Sequence, residues 1–382
     1  MKFLHLADLH IGKRVNEFSM LEDQKYILKQ ILKIAEEEKP DGVLIAGDLY
    51  DRSVPPGEAV ELLDDFLTDL AQRNTPVFAI SGNHDSPERL DFGSRIMSRN
   101  GVTIAGSFRG KPEHVALADE YGPVHVWLLP FLKPALAASF LPPEQTDSCE
   151  NTVRAALGAA EINPHERNVL VAHQFVTANG TQPETCDSET LSVGGTDQVD
   201  ASVFNAFDYT ALGHLHGPQR IGRPEIRYAG SPLKYSFSEM HQNKSVTVVE
   251  LKEKGNVESH TVPLTPLHEM REIKGPIDAL TDPKIAAGNE DYIHATLTDN
   301  HAVAGAAERL RAVYPNLMCI DFEAPGTETA QPSRTAASGD VAHRTPQELF
   351  EEFYRNQNER ELPTAERGEL ARAIRTAQED EE

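Results

Sequence analysis

Asp, Asn and His residues, all of metal-ligating type, fall into five short clusters, and each cluster directly follows an apolar run. KFLHLA at 2–7 leads into Asp8 and His10, and GVLIAG at 42–47 into Asp48, with Asp51 and Arg52 just beyond. VFAISG at 77–82 precedes Asn83, His84 and Asp85; VLVA precedes His173; YTALG precedes His214 and His216. Carboxylate, imidazole and amide oxygen together suit Mn2+, Fe2+ or Zn2+ better than Mg2+, which keeps oxygen ligands and water. No cluster contains a thiolate, which argues against a structural zinc site. Singly, each cluster has a plain reading: an aspartate after a strand caps or turns, GNHD closes a tight turn, and a buried histidine is packed core. Five clusters in one context are not coincidence. Asp8/His10 and His214/His216 are i,i+2 pairs, so in extended backbone both members of a pair point the same way.

The elements that position these residues can be read from periodicity. Apolar runs at 2–7, 42–47, 76–80, 124–129, 168–172, 209–213, 226–229 and 245–251 read as strands. In α/β folds the carboxyl ends of strands form the edge where sites assemble. Residues 21–37 place Ile27, Leu28, Ile31, Leu32 and Ala35 on one helical face, and 57–71 do the same with Val60, Leu63, Leu67 and Leu70. The first third alternates strand and helix and 209–262 is mostly strand, so the expected fold is an α/β layered sandwich flanked by helices. His5 reads as packed inside the first strand. The remaining histidines lack the strand-then-ligand context.

The 382-residue chain is 39% hydrophobic and 25% charged, an ordinary globular composition. A boundary is expected near Pro263–Pro266, giving a main domain at 1–265 and a small α/β cap at 266–323. The Pro/Ala/Ser/Thr/Gly-rich stretch 324–343 reads as a flexible linker, and 344–382 as two amphipathic helices that either dock a partner or fold back on the body. A net charge of −24 argues against a broad basic face for nucleic acid, although bound metals and local Lys/Arg can supply positive potential where a phosphate lies. No apolar stretch spans a membrane, no secretory signal is evident, and three scattered cysteines fit a reducing cytoplasm.

The motifs D-x-H, G-D-x-x-D-R, G-N-H-D, a strand-ending His and G-H-x-H together resemble the calcineurin-like metallophosphoesterase superfamily. Within it, FLHLADLHIGKR (3–14), GDLYDRSVPP (47–56), GNHDSPERL (82–90), ALGHLHGPQRIG (211–222) and YAGSPLKYSFSE (228–239) resemble the SbcD family of bacterial nuclease subunits. The resemblance implies two divalent metals, with Mn2+ the best match. One would be held by Asp8, His10, Asp48 and His216, the other by Asp48, Asn83, His173 and His214. It further implies His84 as general acid or leaving-group stabiliser, Asp51 as the carboxylate that orients it, and Arg52 as a phosphate contact whose plain alternative is a surface salt bridge. The implied activity is metal-dependent cleavage of DNA, as duplex-end exonuclease and single-strand or hairpin endonuclease, in repair and recombination. The implied partners are DNA, an SbcC-type coiled-coil ATPase bound by the tail, and a second copy of the chain met through 57–71 or 86–99. The chain has no G-x-x-x-x-G-K-[ST] loop, so ATP hydrolysis would come from elsewhere. Arg89, Arg95, Arg99, Arg109 and Lys111 form the best local basic patch, for DNA or simply for solvent. A small-substrate phosphatase or cyclic-nucleotide phosphodiesterase is the alternative, and a non-catalytic scaffold a third reading that the complete residue set does not support.

Overall fold

The computed structural model describes residues 1–189, 197–282, 290–300 and 303–323, with isolated positions 351 and 367. Contacts divide the chain into Met1–Glu323 and Ala324–Glu382. The expected linker and helical tail therefore lie outside the described residues, those two positions apart.

Two six-stranded sheets build the larger unit. The chain lays down β1 (Lys2–Leu6), β2 (Gly42–Ala46), β3 (Val77–Ile80) and β4 (Val102–Ala105) as parallel neighbours. It then crosses to the second sheet with β5 (Glu113–Asp119), β6 (Gly122–Leu129), β7 (Arg167–His173), β8 (Tyr209–Gly213), β9 (Gln219–Ile221) and β10 (Arg223–Tyr228). It returns with β11 (Ser245–Leu251) and β12 (Val257–Pro263), β11 pairing antiparallel to β1. The strand orders are β12-β11-β1-β2-β3-β4 and β9-β10-β8-β7-β6-β5. In the second, β10, β8, β7 and β6 run parallel and the edge strands β9 and β5 antiparallel.

All five residues of β2 are buried because both of its faces are covered. Leu44 and Ala46 join Phe3, Phe78, Val126, Val171 and Ala211 in a core between the sheets. Val43 and Ile45 face the other way, onto α1 (Leu21–Glu38) and α2 (Gly57–Gln72). Outside the second sheet, α3 (Cys149–Gly158) buries Val153 and Leu157 against Trp127, Leu170 and Leu212. The result is the expected layered sandwich flanked by helices. One residue departs from its expected place: Val60 is 44% exposed, and Ala59 is the α2 residue turned inward, against Gly12. The helical period explains it, since Ala59, Leu63, Phe66, Leu67 and Leu70 form the buried stripe and Val60 lies about 100° away from Ala59. The 86–99 segment forms two single helical turns, Pro87–Leu90 and Ser94–Met97, rather than one helix.

Beyond β12, Met270–Gly275 (β13), Tyr292–Leu297 (β14) and Leu317–Phe322 (β15) form a parallel three-stranded sheet with its own core of Ile277, Ile293, Leu297, Leu310 and Tyr314. It is latched to α1 by the buried Asp23 carboxylate, which accepts from Tyr292 Oη at 2.7 Å and from the His268 backbone N–H at 3.2 Å. Among the described residues no helix is long and apolar enough to cross a membrane.

Candidate metal centre

Strands β1, β2, β3, β7 and β8 end at the same edge, so both sheets deliver ligands to one place. The approach is closer than side chains on the lining turns would allow. A Cβ at Gly213 would lie 1.8 Å from the Ala46 carbonyl oxygen, and one at Gly82 would lie 2.1 Å from Asp48 Oδ1. The extended backbone expected for the ligand pairs does not occur. Asp8, His10 and Asp48 hold φ of 53°, 45° and 51°, and His214 holds 108°. Such left-handed positions are costly for non-glycine residues and cluster where a site over-determines them. Each of these turns aims a side chain inward.

The seven ligand-type residues do meet. Asp8, His10 and His216 form one group of converging donor atoms, and Asp8, Asp48 and His173 a second. Asp48 Oδ2 lies 3.6 Å from His10 Nε2 and 3.4 Å from His173 Nε2, which puts this carboxylate between the two groups. Asn83 Oδ1 sits 2.9 Å from both His173 Nε2 and His214 Nδ1. Asp8 is anchored by the His214 backbone N–H, 3.0 Å from Oδ1.

Proton bookkeeping tests whether these residues suit a cation. His173 Nδ1 lies 2.8 Å from the Ala46 carbonyl oxygen, to which it must donate, so in a neutral ring Nε2 is bare and faces an amide oxygen. His10 Nε2 and His216 Nε2 face each other at 3.1 Å, and the buried His10 Nδ1 has no hydrogen-bond partner. Acceptors aimed at acceptors need a positive charge among them, and second-sphere bonds such as that to Ala46 orient metal ligands elsewhere. Protonation of His173 is one substitute. Burial alone would lower its pKa, but Asp48, Asp8 and the Ala46 carbonyl outweigh it and push it up to about 9. Burial raises Asp8 to about 7, with Asp48 adding to the effect. Burial would raise Asp48 too, but the neighbouring His173 holds it well below the usual carboxylate range. Burial pushes His214 down to about 3. The donor set fits divalent metals.

His84 is half-buried beside the group, its ring centroid 4.8 Å from that of His10. Its backbone N–H donates to Asp48 Oδ1 at 2.9 Å. Its Nδ1 donates to the backbone carbonyl of Asp51 at 3.0 Å. The oriented histidine is thus present, but the Asp51 carboxylate is not what orients it: that group pairs with Lys13 Nζ at 2.8 Å. The main chain of Asp51 fills the role expected of its side chain. Arg52 is exposed, and its Nε lies 3.5 Å from Asp51 Oδ2, the surface pair of the plain alternative. His5 is packed as expected, bonded to Tyr209 Oη and the Leu212 carbonyl.

Several supporting residues escape the sequence reading. The buried Asp85 carboxylate accepts the backbone N–H groups of Leu49, Tyr50 and Gly82 at 2.9–3.1 Å, tying the Asp48 turn to the Asn83 turn. Gln24 donates to the His10 carbonyl at 2.7 Å, and Tyr235 Oη to that of Leu9 at 2.6 Å. The signal for Asp85 is its place at the end of GNHD; that for Tyr235 is its place in the YAGSPLKYSFSE stretch.

Comparison with known proteins agrees with this geometry. Residues 1–218 match the family model "Calcineurin-like phosphoesterase", and 266–358 match "Type 5 capsule protein repressor C-terminal domain". The chain is 33% identical over 367 residues to the SbcD component of the SbcCD nuclease of Staphylococcus epidermidis, covering 95% of each. Looser structural likenesses are TT1561 of Thermus thermophilus (12% identity, TM-score 0.39, 68% of this chain and 98% of that one) and a dimetal phosphatase from Danio rerio (15%, 0.38, 69% and 99%). Sequence, fold and the converging donors agree: the chain belongs to the calcineurin-like phosphoesterases and, within them, to the SbcD nuclease subunits.

Proposed function

We propose that this chain hydrolyses DNA phosphodiester bonds with two divalent metals, Mn2+ being the best match to its mixed donors, as the nuclease subunit of a cytoplasmic repair complex. The observation that carries the reading is the set of bare nitrogen and oxygen donors converging from both sheets, with His84 at its rim. Asp8, His10, Asp48 and His216 would hold one metal, and Asp48, Asn83, His173 and His214 the other. Metals bound there would supply an activated water and neutralise charge on the phosphoryl oxygens. The protein does the rest. With Nδ1–H committed to the Asp51 carbonyl, His84 keeps Nε2 for a proton passed to the leaving oxygen. Arg52 and the exposed Arg89, Arg95, Arg99, Arg109 and Lys111 supply positive charge to a DNA backbone on a chain otherwise acidic.

Residues 266–323 act as a cap that positions DNA, 324–343 as a linker, and 344–382 as the docking segment for an SbcC-type ATPase. A second copy joins through 57–71 and 86–99 to give a heterotetramer. Family membership and the relative's name support the partner; the apolar side chains exposed on both segments support the dimer. The test is a cleavage assay on protein stripped by EDTA. Added Mn2+ is expected to restore degradation of linear duplex DNA. Turnover of p-nitrophenyl phosphate with DNA left intact would overturn the nuclease reading in favour of a small-substrate phosphatase.

A further inference from the structure

His216 is backed by a buried polar network to which no role has so far been given. Its Nδ1 lies 2.7 Å from Ser188 Oγ, and Ser188 Oγ lies 2.6 Å from Glu239 Oε1. Glu239 is fully buried and its other oxygen meets Lys244 Nζ at 2.6 Å. Lys244 is also buried, and it reaches the His216 carbonyl and Ser231 Oγ, both at 2.9 Å. The Tyr235 backbone N–H and Ser236 Oγ complete the cradle, each 3.1 Å from Glu239 Oε1.

One hydroxyl proton fixes the direction of this chain. A carboxylate only accepts, so Ser188 donates its proton to Glu239 and can only accept from His216. His216 must then carry its proton on Nδ1, which leaves Nε2 bare at the place where it meets His10 Nε2. Glu239 Oε1 accepts from Ser188, the Tyr235 backbone N–H and Ser236, and Oε2 meets the Lys244 ammonium, which are the surroundings of an ionised carboxylate.

We infer that Ser188 and Glu239 are positioning residues for the metal centre, which lock His216 in the Nδ1–H tautomer and so present Nε2 as a ligand. This rests on the two-metal reading and assigns a purpose to the YAGSPLKYSFSE stretch, whose Ser231, Tyr235, Ser236 and Glu239 all belong to the cradle.

The test uses the full chain, with Ser188→Ala as the gentle variant and Ser188→Thr as the rescue. Glu239→Gln serves as a third variant, since it strands Lys244 and is open to misfolding. Nitrogen-15 spectra of histidine-labelled apoprotein report the His216 tautomer, and calorimetric titration reports Mn2+ binding. Wild type is expected to show Nδ1–H and two Mn2+ per chain. Ser188→Ala is expected to lose the single tautomer and to weaken one of the two Mn2+ by roughly 10–100-fold, with Ser188→Thr restoring both. An unchanged tautomer and unchanged titration in Ser188→Ala would overturn the relay. If wild type binds fewer than two Mn2+, the metal reading fails, while the apoprotein tautomer still decides the relay separately.

Discussion

His84 and Asp51 separate two tasks that share one short stretch of space. The hydrogen bond from His84 to Asp48 comes from its backbone, so on the proposed roles truncating its ring would remove a proton carrier and leave the seven proposed ligands in place. His84→Ala is expected to lower DNA cleavage by about 10²–10⁴-fold while the Mn2+ stoichiometry stays at two, measured by single-turnover assay and titration. Asp51→Asn keeps the carbonyl that holds His84 Nδ1 and loses the ion pairs to Lys13 and Arg52, so its loss should be much the smaller. Equal losses in the two variants would show that the carboxylate, not the carbonyl, is what matters.

Among the elements, a buried arginine helps to tie the second sheet at the end opposite the candidate metal centre, with the Met1 ammonium on the same carboxylate. Arg167, at the start of β7, donates to the Asp119 carboxylate at the end of β5 and to carbonyls of Gly122 and Lys252. The Arg167 hydrogen bond holds the Asp119 carboxyl well below its ordinary range, burial opposing it only in part. A depressed carboxylate stabilises the fold above the unfolded-state pKa of about 4 and loses that contribution as pH falls through the folded value. Asp119→Asn should therefore cost roughly 1–3 kcal/mol at pH 7, and wild type and variant should converge in melting temperature as the solution is acidified below about pH 4. A gap as wide at pH 2 as at pH 7 would assign the loss to packing instead. The strands that carry ligands are legible because apolar runs covered on both faces stand out from their surroundings. β5 is not, since its side chains alternate between exposed and half-buried at a sheet edge. β4 has only four residues. The cradle behind His216 is hidden for another reason: Glu239 and Lys244, five apart in sequence, read as an ordinary surface pair until burial is known. The ligands themselves are legible because donor types at strand ends need no tertiary knowledge, whereas the left-handed turns that aim them are settled only by the meeting of two sheets.

For the whole molecule, apolar side chains left in solvent indicate what is missing. Phe92 and Ile96 are 88% and 71% exposed, with Val54 and Val60 also uncovered before and within α2. These lie in or beside the segments proposed to meet a second copy, and Phe92→Glu with Ile96→Glu should convert a dimer into a monomer of unchanged fold by light scattering and circular dichroism. A wild-type monomer at micromolar concentration would remove the dimer from the proposal. The split of the donors between the sheets has one more outcome, in the order of synthesis. Asp8, His10, Asp48 and Asn83 leave the ribosome early, but His173, His214 and His216 follow much later, and β11, which closes β1, later still. On the proposed ligand set a nascent chain therefore carries only the first-sheet donors while it is still being made, and the site is complete only once both sheets have met.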